Sequence, residues 1–289
     1  MPLRKFKDTF RQARKFIIRL WRINIAIPRL LRYNPYTGFI GRQMFRYFPF
    51  LLPHDKSYFG FAHLVHKGDG LFLDVGANDG ISAIGFRHIH SDYSILSIEP
   101  NLCHERSLRK LKKKLKRFDF KMIGAGSTRC QKILYVPTYN GVPIYTAASL
   151  IKDYVDMTML EQHLPADHDK NIVIFECSVD IVPLDELGLQ PDIIKIDSEG
   201  FDFEVILGLR KTIESQRPHI MIEYNPKLME SIEAFFKKLS YSFFTYDYPS
   251  GMFMILDKVR ESDLYHQQKI TTNIFCVPNE KSKALPVRQ

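Results

Sequence analysis

Ten residues, Leu71-Phe-Leu-Asp-Val-Gly-Ala-Asn-Asp-Gly80, constrain the fold of this chain more than any other stretch. Leu71, Phe72, Leu73 and Val75 make a short apolar run of the kind buried on both faces in a central parallel strand. Gly76 and Gly80 then permit a tight turn and a close approach of backbone to ligand, after which Ile81 to Ile89 reads as a helix. Strand, glycine turn and helix in that order open a nucleotide-cofactor fold. Charge narrows the cofactor. A dinucleotide turn needs GxGxxG and a helix end free for pyrophosphate. Here the spacing is Gly76-x-x-x-Gly80, and Asp74 and Asp79 put carboxylates where a phosphate would sit. Anions at contact distance repel, so the loop suits a cationic ligand that carries no phosphate.

The rest of the chain continues the alternation. Tyr93 to Ile98 reads as a second strand ending at Glu99, 25 residues after Asp74, one strand–helix–strand unit. A carboxylate there can accept both hydroxyls of a ribose. Leu102 to Arg117 reads as a helix, and Phe118 to Ile123 as a third strand running into Gly124-Ala125-Gly126, small residues that leave room for a flat base. Lys132–Val136 and Ile172–Val182 read as strands with a turn at Gly141, and the polar stretch from Ile151 to Lys170 is the natural place for a substrate lid. Asp192 to Ile196 is a fourth core strand ending at Asp197, followed by a helix from Gly200 to Lys211. A fifth strand is expected over Pro218–Tyr224, a helix over Pro226–Leu239, two further strands between Tyr241 and Val277, and a frayed polar tail. The expected fold is α/β: a doubly wound, mostly parallel, Rossmann-like sheet over 61–280, a helical and aromatic-rich extension over 1–60, and a flexible tail over 281–289.

An ammonium and a sulfonium without a phosphate describe S-adenosylmethionine, which fits the first loop. Asp74-Val-Gly-Ala-Asn-Asp-Gly80, then Ser97-Ile-Glu99-Pro-Asn101, then Asp192-Ile-Ile-Lys-Ile-Asp-Ser-Glu-Gly200 with Glu204 and Gly208, resemble the FkbM-type methyltransferase family over about Gly70 to Asn225. The third block is the most particular of the three. The family places Glu two residues after its glycine, where this chain has Asp202, one methylene shorter. The resemblance implies a methyltransferase dependent on S-adenosylmethionine and acting on oxygen, with a small-molecule, sugar or glycan acceptor.

Ligands of such sheets gather at the carboxyl ends of the strands. That rule collects Asp74, Gly76, Asn78, Gly80 and Glu99, with Gly124 and Ala125, as the cofactor side. Asp197 is the first choice for acceptor positioning or general base and Glu199 the second. Lys195 shares the Asp197 face of an extended strand and either sets a carboxylate's charge state or makes a structural ion pair. Glu223, ending the fifth strand, is a weaker candidate. Each acid alone reads as a solubiliser or helix cap, and it is their convergence that indicates a site. The carboxylates could hold a divalent cation, but nothing in their spacing requires one, and no metal site is assigned. Cys103, Cys130, Cys177 and Cys276 are far apart, without CxxC, as reduced thiols of a cytoplasmic protein would be.

The net charge of +9 is local. Residues 1–32 hold ten Lys/Arg against one Asp, and the remaining chain is neutral. Leu3, Phe6, Phe10, Ala13, Ile17, Leu20 and Ile27 recur at helical steps opposite Arg4, Lys7, Arg11, Arg14 and Arg22. Arg19 and Arg22 interrupt any spanning window, so residues 3–27 either pack on their own domain or lie on an anionic membrane surface, at the inner face of the membrane for a cytoplasmic protein. Tyr33 to Phe61 carries ten aromatics, the core of a cap or a stacking surface for a sugar. The lysines and arginines of Arg109 to Arg117 keep a nucleic-acid methyltransferase open as the alternative, although Asp197-Ser-Glu-Gly200 differs from the Asn/Asp-Pro-Pro-aromatic turn of enzymes that methylate base amines. A nucleic-acid partner is therefore unlikely. A non-catalytic, membrane-docked adaptor is the third reading, and the intact acidic loop argues against it.

Overall fold

The computed structural model describes residues 55–64, 69–139, 142–157, 172–259 and 273–288. The amphipathic stretch 3–27, most of the aromatic cap, the Gly141 turn and most of the expected lid lie outside the described residues.

An eight-stranded sheet organises the fold. Its first three strands are β1 (Leu71–Val75), β2 (Ser94–Ile98) and β3 (Phe118–Lys121), with helices α1 (Ile81–Ile89) and α2 (Glu105–Lys114) crossing between them. The chain then leaves for a second sheet built from β4 (Gly124–Ala125), β5 (Cys130–Tyr139), β6 (Val142–Pro143) and β7 (Ile172–Val182), with the short helix α3 (Lys152–Met157) between β6 and β7. It returns through β8 (Ile193–Ile196), α4 (Asp202–Gly208), α5 (Arg210–Gln216), β9 (His219–Glu223) and α6 (Met229–Lys238). β10 (Tyr241–Asp247), β11 (Met252–Ile255), β12 (Asn273–Pro278) and α7 (Asn279–Ser282) close the chain. The order in the large sheet is β11-β10-β12-β9-β8-β1-β2-β3. β3, β2, β1, β8 and β9 run parallel, while β12 enters antiparallel between β9 and β10. Strand order therefore reverses at the β1–β8 pair, and the crevice beyond their carboxyl ends is where such sheets bind ligands.

Period-two alternation sends β1 and β8 side chains to two cores. Leu73, Val75, Ile194 and Ile196 join Val205, Ile206, Ile213, Ile232 and Phe236 on one face. Phe72 and Ile193 join Phe61, Ala83, Phe86, Leu108, Leu111 and Phe275 on the other. Each such side chain contributes roughly 1.5–3 kcal/mol on burial. A short 3-10 turn, Lys56–His63, belongs to the second core, with Tyr58 and Phe61 almost fully enclosed, so these two aromatics of the expected cap serve packing.

Several elements differ from the sequence expectation. The helix expected over Gly200–Lys211 is two helices that meet at Leu209. A Cβ on Gly208 would lie 2.0 Å from the Gly126 carbonyl oxygen, so α4 packs backbone to backbone against the loop after β4. Three strands, not two, follow Tyr241, because Asp247 to Gly251 forms a hairpin turn that returns as β11. The tail after Pro278 does not fray: it forms α7, Leu285 is 8% exposed, and Val287 bridges Phe253. An apolar residue every few positions was enough to hold a segment that reads as polar overall.

Candidate active site

The site is built on one row of side chains crossing three strands. Ser97, Asp74 and Lys195 are register partners on β2, β1 and β8, so they project from the same face of the sheet. Asp74 is completely enclosed, and its Oδ2 accepts hydrogen bonds from Ser82 Oγ at 2.6 Å and Ser97 Oγ at 2.8 Å. Lys195, itself buried, places Nζ 3.6 Å from Asp74 Oδ1, 3.2 Å from Asp197 Oδ2, and donates to the Gly76 carbonyl at 2.8 Å. Burial alone would lower its pKa, but Asp197 and Asp74 override that and hold the ammonium charged well beyond its ordinary range. Asp74 thus holds Lys195 from beneath, and it is Asp197, with a side chain 37% exposed, that opens to the crevice.

The turn after β1 winds through left-handed conformations at Gly76, Asn78 and Gly80. Gly76 has no alternative, since a Cβ there would stand 1.7 Å from the Asp197 carbonyl oxygen. The β1 and β8 loops therefore touch through their backbones. Glu99 closes the cofactor side: its Oε2 accepts from the Asn78 N–H at 2.7 Å and its Oε1 from the Asn101 N–H at 2.9 Å. Burial pushes the Glu99 carboxyl up to about 7 despite those two donors. Each oxygen retains a lone pair, and Asn101 Nδ2 beside it is buried without a partner. An acceptor pair next to an idle donor is a donor set that fits a ribose and its attached base. Gly124 and Ala125 lie in β4, paired with Ile181 and Val182 of β7, and Gly124 faces Pro100 of the Glu99 loop, 3.6 Å from where a Cβ would be. The structure thus brings Gly76, Asn78, Gly80 and Glu99 together, with Gly124 and Ala125 on the adjoining sheet.

The ends of β8 and β9 carry a dense carboxylate group. Asp197, Glu199 and Glu223 each bring an oxygen within 4.8 Å of the others. Glu199 is left-handed at φ 50°, followed by Gly200 at φ 91°, so the chain doubles back and returns the glutamate towards β9. Burial and the charge of Asp197 raise the Glu199 carboxyl well above its usual range. The same causes push Glu223 up to about 9, where it keeps its proton and hydrogen-bonds Asp197. Asp202, 1% exposed, accepts at Oδ1 from Ser198 N–H (2.7 Å) and Ser198 Oγ (2.8 Å), and burial raises it too.

Tyr154 of the expected lid, and Ser149 just before it, also dock here. Ser149 Oγ donates to the Glu199 carbonyl at 2.7 Å, and the Tyr154 ring lies against Gly200, 2.8 Å from where a Cβ would be. Burial and then Glu199 hold the Tyr154 phenol protonated far above its usual range. Ser82, Ser97, Asn101 and Tyr154 were not singled out from sequence. Period-two counting from Asp74 across neighbouring strands would have found Ser97; nothing local marks Tyr154.

The chain belongs to the methyltransferase FkbM domain family, whose family model matches residues 74–243. S-adenosylmethionine is the cofactor of that family. The match spans β1 to β10 and so contains every residue of the site above. No curated protein matches the sequence. Among solved structures, the chain is similar to the methyltransferase FkbM of Methylobacillus flagellatus KT, at 16% identity and a TM-score of 0.44, over 72% of this chain and 43% of that one. This chain thus spans less than half the length of that relative. It is also similar to a precorrin-6y C5,15-methyltransferase of Geobacter metallireducens GS-15, at 13% identity and a TM-score of 0.39, over 76% of this chain and 85% of that one. The plantazolicin methyltransferase BpumL, solved with SAH, is similar at 11% identity and a TM-score of 0.34, over 92% and 99%.

Proposed function

We propose that this protein transfers the methyl group of S-adenosylmethionine to a hydroxyl oxygen of a sugar or glycan acceptor. The reading rests on family membership for the reaction and on Asp197 for the atom methylated. A carboxylate open to the crevice, flanked by a fixed ammonium and by protonated Glu223, is built to receive the proton of a hydroxyl. The bound cofactor supplies the electrophilic methyl group. Glu99 and the Asn78–Gly80 turn hold the ribose end, Lys195 fixes the position of Asp197, and Asp197 accepts the hydroxyl proton as the carbon–oxygen bond forms. Glu199 and Glu223 line the remaining wall and give a polyhydroxy acceptor further hydrogen-bonding partners. Among the described residues no helix is long and apolar enough to cross a membrane. The same proposal places the protein in the cytoplasm and brings residues 3–27 to the anionic inner face of the membrane, supported by the nine surplus positive charges of residues 1–32.

The test is transfer of an isotopically labelled methyl group to simple sugars, oligosaccharides, lipid-linked glycans, DNA and RNA. Label in a base-stable methyl ether of a glycan supports the proposal. Label in nucleic acid transfers the assignment to the alternative, and cofactor binding without transfer to any of the five supports the adaptor.

A further inference from the structure

Carboxyl groups crowd the end of β8, and two of their oxygens are buried without a hydrogen-bond partner. Asp197, Glu199, Asp202 and Glu223 act on one another electrostatically, and the Lys195 ammonium lies 3.2 Å from Asp197. The two idle oxygens point to a missing partner. Glu199 Oε2 is sealed from solvent and accepts no hydrogen bond. Asp202, 1% exposed, uses Oδ1 for Ser198, four residues earlier in the same turn, while its Oδ2 is enclosed without a partner. Buried carboxylate oxygens are rarely left idle, because each has given up water for nothing.

We propose that Asp197, Glu199 and Glu223 bind one divalent cation. The donor set is all oxygen, with neither thiolate nor imidazole, which selects a hard ion such as Mg²⁺, Mn²⁺ or Ca²⁺ over zinc. The spacing suits it. Oxygens on opposite sides of a calcium-sized ion stand about 4.6–5.2 Å apart and those of a smaller ion closer, and the three carboxylates lie within 4.8 Å of one another. Lys195 meets Asp197 at Oδ2, and Glu223 would release its proton to solvent as the ion takes its place beside Asp197. The φ 50° conformation of Glu199, uncommon for a residue with a side chain, aims that carboxylate back at its two partners. The ion would stand beside the acceptor hydroxyl and draw it towards Asp197. That use rests on the methyl-transfer reading; the binding itself does not.

Mn²⁺ titration followed by electron paramagnetic resonance tests the site on the full chain, without cofactor or acceptor. Loss of the free-ion signal should saturate at one Mn²⁺ per chain with a Kd of about 0.1–1 mM, and Mg²⁺ or Ca²⁺ should compete. Glu199→Gln and Glu223→Gln should each weaken binding at least about tenfold, while calorimetry shows S-adenosylhomocysteine still bound, which certifies the fold. Mn²⁺ that stays free at several times that concentration, or that binds both variants as tightly as the parent, overturns the site. Neither result depends on finding an acceptor, so a failed methylation assay cannot be mistaken for a failed metal site.

Discussion

Lys195 Nζ lies 3.2 Å from Asp197 and 3.6 Å from Asp74, so one buried ammonium joins a sealed carboxylate to an open one across the strand pair where the sheet reverses order. Removing it leaves Asp74 charged in the interior. Lys195→Met should destabilise the protein by about 3–5 kcal/mol, read from urea unfolding. The Asp74→Asn, Lys195→Met double variant should lose clearly less than the sum of the two single losses, because no fully buried ion remains and Asp197 is open to solvent.

Asp197→Asn should leave cofactor affinity within about threefold and lower turnover by about a hundredfold or more, the scale of a lost general base. Calorimetry with S-adenosylhomocysteine and a saturating-substrate assay separate the two. Poor binding with normal turnover would put Asp197 on the cofactor side.

Glu99 predicts a pH dependence of definite sign. Its carboxyl is held at about 7 in the folded protein, whereas an unfolded glutamate titrates at about 4.3. Between those values the native state keeps a proton that the unfolded state has lost, so stability present at low pH falls as pH rises towards about 7. The loss from this residue is of order 3 kcal/mol. Glu223, raised to about 9, extends the decline in the same direction, so the Glu99 share is the difference between parent and Glu99→Gln. Ribose hydroxyls donate to the ionised form, and cofactor affinity should therefore rise about tenfold between about pH 6 and pH 8. Glu99→Ala should weaken cofactor binding by about 1.5–3 kcal/mol at the upper pH.

Two glycines with similar dihedrals should respond very differently to alanine. Gly188, at φ 60°, has nothing within 4 Å of a new Cβ, so Gly188→Ala should cost only about 1–2 kcal/mol of backbone strain. Gly76, at φ 76°, would drive its Cβ into the Asp197 carbonyl. Gly76→Ala should cost at least about twice as much and weaken cofactor binding, both measured in one thermal-shift titration.

Deletion of residues 1–32 should abolish co-sedimentation with anionic vesicles at low salt while leaving the melting temperature and transfer to a soluble acceptor near normal. Attachment of the full chain should weaken as salt shortens the Debye length from about 10 Å at 0.1 M to about 3 Å at 1 M. A collapse of thermal stability on truncation would assign the stretch to the fold instead.

Central strands and the residues at their ends were readable because burial on both faces leaves an uninterrupted apolar run that ends abruptly in Asp, Glu or Gly. Glu99 and Asp197 are of this kind, as is Gly76, which ends the strand that contains Asp74. The Lys195–Asp197 pair followed from period-two geometry alone. The second sheet was harder. β5 runs three residues past its readable end, through Pro137 and Thr138, because pairing with β7 and not side-chain pattern defines it. The break at Leu209 depends on Gly208 meeting Gly126, and the carboxylate cluster on a left-handed glutamate, contacts between residues dozens of positions apart or more. Local propensity contains no record of either.

The hydrogen bond from Ser149 to the Glu199 carbonyl and the seating of Tyr154 on Gly200 tie the start of the insertion to the turn that sets the carboxylates. Under the proposed function, the residues that would meet the acceptor and those that would act on it are one mechanical unit. An alteration of Tyr154 that admits a different acceptor would then also reset the aim of Glu199.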